Sequence, residues 1–130
     1  MTSNRVYHVW FATKGRKWLL VGEVGDAVKG SLVETAREKS IKLLECQPMV
    51  DHVHMLVGAS SAEELSWLMK LLKGRSSYEV FRRYPDLKLD AAVISFWQRG
   101  FGACAVPETE LDTVRQYIRT QDERLEKYER

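Results

Sequence analysis

Cysteine is scarce in this chain of 130 residues: there are two, Cys46 and Cys104, far apart and without CxxC spacing. That excludes a zinc ribbon and a disulfide scaffold, and leaves two free thiols suited to a reducing compartment. No apolar run approaches the roughly 18 residues of a membrane span. The N-terminus does not read as a secretory leader either, so the expected location is the cytoplasm. Charge of one sign is also lacking: the formal net charge is +2, although 29% of residues are charged. Overall charge therefore does not announce a nucleic-acid partner. Only local clusters are suggestive, Lys14-Gly15-Arg16-Lys17, Lys70 through Lys73 to Arg75, and Arg82-Arg83. No internal repeat, low-complexity tract or linker interrupts the sequence. With 45% hydrophobic residues the chain can bury a core, and its length suits a single domain over 1–130.

Histidine is rare too, with three in all, yet two of them stand together as His52-Val53-His54. The neighbouring Val50, Val53, Met55, Leu56 and Val57 favour a strand, in which residues i and i+2 share a face. Both imidazoles then emerge on one surface, roughly 7 Å apart at the backbone. Two neutral ring nitrogens at that spacing can converge on one divalent cation. Taken alone, such a pair is more often two satisfied polar residues than a metal site.

Val6–Ala12, aromatic and β-branched, predicts a first strand, followed by a basic turn at Lys14–Lys17. From Gly22 to Ser40 the residues Val24, Ala27, Val28, Leu32, Val33 and Ala36 recur at helical steps. Lys42–Gln47 predicts a short second strand, which Pro48 and Asp51 turn into the His52–His54 strand as a hairpin. Ser60-Ser61-Ala62-Glu63-Glu64 starts a second helix that continues to Tyr84 and stops before Pro85. Val93–Trp97 predicts a fourth strand, Gln98–Ala103 a glycine-rich bend, and Pro107–Glu110 the opening of a last helix reaching about Lys127. The order β-α-β-β-α-β-α contains the split βαβ arrangement, ferredoxin-like or RRM-like. This is an α+β fold with a four-stranded antiparallel sheet, two helices on one face and an added C-terminal helix.

In that last helix Leu111, Val114, Ile118, position 121 and Leu125 form one stripe, and position 121 is Gln. A buried amide needs partners, since leaving one unsatisfied costs about 1–3 kcal/mol. Its oxygen suits a hard cation such as Mg2+ or Mn2+. Tyr117 lies one helical step of four earlier, on the same side. For this helix by itself, a solvated Gln at the stripe's edge and a packed Tyr with an exposed hydroxyl are the plainer alternative.

Asp51-His-Val-His-Met-Leu-Val57 resembles the HUH motif (histidine, hydrophobic residue, histidine) of single-tyrosine transposases from small bacterial and archaeal insertion sequences and their REP-associated kin. Tyr7–Lys17 is similar to that family's opening strand and basic turn, and Leu72–Ser77 to its Lys-Gly-x-Ser-Ser segment. Phe96–Phe101 is similar to its aromatic strand, and Val114–Gln121 to its catalytic helix, where Tyr is followed four residues later by Gln. The likeness runs in order from about residue 5 to 125; the stretch from Gly100 to Cys104 does not match.

The resemblance implies the fold read above and a homodimer whose sheets join, with the catalytic helix of one subunit able to serve the other's HUH pair. It implies Tyr117 as nucleophile and His52, His54 and Gln121 as ligands of Mg2+ or Mn2+, with no nucleotide cofactor. The reaction implied is cleavage and rejoining of single-stranded DNA with hairpin ends through a 5′-phosphotyrosine. Lys14, Arg16, Lys17, Lys73 and Arg75 are candidates for DNA-backbone contacts. Trp10, Trp97 and Phe101 either stack unpaired bases or fill the core. Asp51 either orients a histidine or turns the chain, and His8, on the strand face of Trp10, reads as structural. The competing readings are a non-catalytic single-stranded nucleic-acid binding module on the same sheet, a water-using phosphohydrolase, and a host-domesticated relative that keeps the chemistry.

Overall fold

A computed structural model describes residues 5–87 and 95–129, with side chains in the last helix as far as Gln121. The elements are β1 (Arg5–Ala12), α1 (Gly22–Glu38), β2 (Leu43–Pro48), β3 (His52–Ala59), α2 (Ala62–Arg83), β4 (Gly102–Val106) and α3 (Leu111–Glu129). The strands form one antiparallel sheet in the order β2-β3-β1-β4, the split βαβ arrangement expected from the sequence.

Alternation in the strands divides the sheet into two unlike faces. Tyr7, Val9 and Phe11 of β1 and Val53, Met55 and Val57 of β3 point to one side. There they pack with Val28 and Leu32 of α1 and Leu65, Met69 and Leu72 of α2 as the main core. The residues between them, His8, Trp10, His52, His54 and Leu56, point to the other side, where α3 packs across β2 and β3. Leu56 (0% exposed) and Ile118 of α3 (1%) are buried outside the main core. The N-terminus of α2 is fixed as its sequence suggests. Ser61 Oγ accepts from the Glu64 backbone N–H at 3.1 Å, and the Ser60 N–H donates to the Glu64 carboxylate at 2.9 Å. Among the described residues no helix is long and apolar enough to cross a membrane.

The fourth strand lies elsewhere than the sequence predicts. Val93 and Ile94 fall outside the described residues, and Trp97 makes a single bridge to Thr13. The strand that completes the sheet is Gly102–Val106, beginning in the segment expected to be a bend. Both stretches run along the same edge of β1. From Thr13 to Trp10 β1 advances three residues, while its partner advances five, from Trp97 to Gly102. Gly100, with φ +80°, lies within that excess, a conformation open to glycine without penalty. The residues of β4 are too small and too exposed to announce a strand; main-chain pairing carries it. Two side chains of α2 staple the excess in place. Lys73 Nζ donates to the carbonyls of Gln98 (2.8 Å) and Gly100 (2.7 Å), and Trp97 Nε1 donates to the buried Ser76 Oγ at 2.9 Å. A short 3-10 turn over Glu108–Glu110 precedes α3, which begins at Leu111.

Candidate active site

The hairpin between β2 and β3 places His52 and His54 on the α3 face with their Nε2 atoms 3.1 Å apart. Each ring is held from behind. His52 Nδ1 lies 2.6 Å from Asp51 Oδ1, and Asp51 Oδ2 in turn pairs with Arg16 Nε at 3.1 Å. Arg16 takes a positive φ of 56° to reach it, on a turn closed by its own N–H to the Thr13 carbonyl. His54 Nδ1 lies 3.0 Å from His8 Nε2. Burial lowers the pKa of His54 to about 4, with the neighbouring His52 and His8 adding to the effect. Burial lowers that of His8 as well. His54 is therefore neutral at physiological pH, the form in which imidazole binds a metal.

Helix α3 supplies the rest of the site. Around its axis, Ile118 and Gln121 form the buried strip, with Leu111 and Val114 half-buried beside it. Arg115 and Arg119 fall on one flank and Tyr117 on the other, as 100° per residue requires. The arginines grip Glu45 of β2, Arg115 Nε at 2.9 Å from Oε2 and Arg119 Nε at 3.1 Å from Oε1. Burial pushes the Glu45 carboxyl up, but hydrogen bonds and charge from Arg119 and Arg115 outweigh it and hold the pKa below the ordinary 4.5. On the far flank the Tyr117 ring stands edge-on, 6.1 Å from the His54 ring and 6.2 Å from that of His8. It is 45% exposed, so the phenol is open to solvent. Gln121 is 5% exposed, and its Nε2 donates to the Tyr117 carbonyl at 3.2 Å. It is thus an inward residue of the stripe, not a solvated edge.

The donor set fits a divalent cation. Two ligands at right angles around an ion bonded at about 2.1 Å stand about 3.0 Å apart, which is the separation of the two Nε2 atoms. Among the described residues no group of three or more His, Cys, Asp or Glu forms a metal cluster. Any cation there would need further ligands beyond the two imidazoles.

A family model described as IS200-like transposase matches residues 1–121. The chain belongs to that family. Within the IS200-like transposases, the ISDra2 transposase TnpA of Deinococcus radiodurans is 30% identical over 118 residues, which is 91% of this chain and 84% of that protein. The transposase for insertion sequence element IS200 of Salmonella typhimurium is 35% identical over 98 residues, 75% of this chain and 64% of that relative, so less than two thirds of its length is spanned. A solved structure of a candidate transposase from D. radiodurans R1 matches with a TM-score of 0.74 at 31% identity, over 93% of both chains. A REP-associated tyrosine transposase solved bound to a REP hairpin shares the fold, with a TM-score of 0.65 at 10% identity over 93% of this chain and 68% of its own.

In this IS200-like chain the five cations singled out from sequence separate into two groups. Lys14, Arg16 and Lys17 are exposed on the turn after β1, beside Asp51. Lys73 and Arg75 lie on α2, which packs on the opposite face; Lys73 is taken by two carbonyls, and Arg75 by Glu38 and Glu79. Of the aromatics, Trp97 is buried and Trp10 is 39% exposed beside His8. A Cβ on Gly102 would come within 2.1 Å of the Trp10 indole, so the ring rests on bare backbone. Glu45 belongs to no motif and does not stand out in the sequence, where His8 reads as structural.

Proposed function

We propose that this IS200-like chain cuts and rejoins single-stranded DNA through Tyr117. The observation that carries the reading is the meeting of an exposed phenol with two histidines whose Nε2 atoms converge to 3.1 Å. The Tyr117 hydroxyl gives up its proton to solvent as its oxygen attacks the phosphorus, the bond from phosphorus to the 3′ oxygen breaks, and that oxygen takes one proton from solvent and leaves as a 3′-OH. A 5′-phosphotyrosine results. Because the new ester keeps the energy of the old one, a second 3′-OH can reverse the step on another strand, and no nucleotide cofactor is needed. His52, His54 and Gln121 would hold an Mg2+ or Mn2+ ion, which would supply positive charge against the scissile phosphate. Asp51 and His8 keep the imidazoles aimed, Glu45 fixes the helix that carries the nucleophile, and Trp10 offers a ring on which an unpaired base can stack.

The hairpin bound by the REP-associated neighbour of the same fold supports DNA with hairpin ends as the substrate. A homodimer belongs to the same reading. Its support is the outer edge of β4, where Ala103, Cys104 and Ala105 are small and exposed and leave main chain open to pairing. Within one chain Tyr117 stands beside its own histidines, and completing the site in trans requires α3 to leave Glu45.

A denaturing gel tests the proposal. Wild type and Tyr117→Phe are incubated with labelled single-stranded DNA from the flanks of the gene, with Mg2+, Mn2+ or EDTA. The expected result is a metal-dependent band that survives denaturation in the wild type alone. Cleavage without a covalent band would assign the reaction to water, and binding without cleavage would make the chain a binding module.

A further inference from the structure

We infer that His8 is the positioning residue for His54: it accepts the proton on Nδ1 and so presents Nε2 to the cation, a role that rests on the metal reading above. The register makes this possible. Trp10 of β1 pairs with His54 of β3, and His8 pairs with Leu56, so His8 lies diagonal to His54 on the same face. The two rings are 29° from parallel with centroids 5.2 Å apart and nitrogens 3.0 Å apart. That is edge-to-edge contact close to one plane, as an N–H···N bond requires, and not a face-to-face stack.

Proton counting then fixes the roles. A neutral imidazole has one donor and one acceptor. Asp51 can only accept, so His52 donates through Nδ1 and its Nε2 carries a bare lone pair. If His54 donates through Nδ1 to His8, its Nε2 is bare as well, and the two bare nitrogens face each other at 3.1 Å. Two lone pairs that close repel unless a cation binds both, so this is the proton arrangement of a loaded site; without a cation the same 3.1 Å contact is closed by an N–H···N bond between the two rings. His8 is not a third ligand, because its Nε2 approaches the far side of the His54 ring. The pair thus has two orienting groups of different chemistry, a carboxylate for His52 and an imidazole for His54. Such partners usually contribute 10–100-fold to metal affinity.

The test uses the full chain without DNA. Mn2+ binding is titrated by electron paramagnetic resonance for wild type, His8→Phe, His8→Gln and His54→Ala. His8→Phe is expected to weaken binding about 10–100-fold. His8→Gln, whose side-chain oxygen reaches as far as Nε2 and accepts a proton, is expected to recover most of that loss; a role in packing alone would leave Gln no better than Phe. In parallel, nitrogen-15 spectra of the wild type with saturating Mg2+ should place the His54 proton on Nδ1. Equal Mn2+ affinity in His8→Phe and wild type, with His54→Ala weakened, overturns the role of His8 alone. An unaltered affinity in His54→Ala overturns the metal reading and this role with it. Should His8→Phe fail to fold, the wild-type spectrum decides, and a proton on Nε2 of the loaded protein overturns the inference.

Discussion

The two faces of the sheet are held by different forces. Under α1 and α2 the contacts are apolar: Val9, Phe11, Met55, Met69 and Leu72 are buried together. Under α3, among the described residues, the fully buried apolar side chains are Ile118 and Leu56, and the face also carries polar contacts: Glu45 with two arginines, Asp51 with His52, and His54 with His8. Apolar burial is non-directional and neither titrates nor is screened, whereas the polar set is directional and responds to pH and to ionic screening. The first face makes the fold; the second sets the Tyr117 ring beside a pair of imidazoles.

That contrast can be broken at several points. The largest effect should come from the apolar face. Leu72→Ala is expected to cost about 2–5 kcal/mol, read as a lower midpoint in denaturant. Its rate per folded molecule should stay unchanged, and a selective loss of activity would contradict the division of labour. On the other face, Glu45→Ala leaves Arg115 and Arg119 without their carboxylate and should cost about 1–2 kcal/mol. Hydrogen exchange should rise in α3 and not in α2, with the yield of covalent complex falling further than stability does.

Smaller again is Gly102→Ala, about 1 kcal/mol, because the added methyl must push the half-exposed Trp10 ring aside. Its clearer signature is weaker binding of single-stranded DNA, matched by Trp10→Ala. Acid gives the gentlest test. The Glu45 pKa is lowered by folding, so its contribution is complete above about 4.5 and is lost as pH falls through the folded value. Protection of α3 amides, taken relative to their intrinsic exchange rates, should therefore fall below pH 4.5 before that of α1 and α2, and Glu45→Gln should remove that difference.

Most of the fold is legible in the residues themselves. Val6–Ala12 and His52–Ala59 alternate, α1 shows a helical stripe, and Ser60 to Glu64 spells a helix start. The fourth strand is not legible, since Gly102-Ala-Cys-Ala-Val106 has no large side chain to alternate and owes its place to main-chain pairing with β1. Within the site, the histidine pair follows from the two-residue period, and Gln121 stands out as a polar gap in an apolar stripe. His8 does not stand out, because its meeting with His54 depends on a register between strands 46 residues apart in sequence. Lys73 shows the opposite limit: the sequence marks it as a candidate phosphate contact and gives no sign that it also donates to the carbonyls of Gln98 and Gly100.

Glu45 also acts as a mechanical detent. Its two guanidinium partners lie two residues before and two residues after Tyr117, on the opposite flank of the helix. If α3 slipped by one residue, the phenol would swing by about 100°, and neither arginine could keep its grip. The accuracy with which the tyrosine is pointed is therefore set on β2, by a carboxylate that need never touch the DNA.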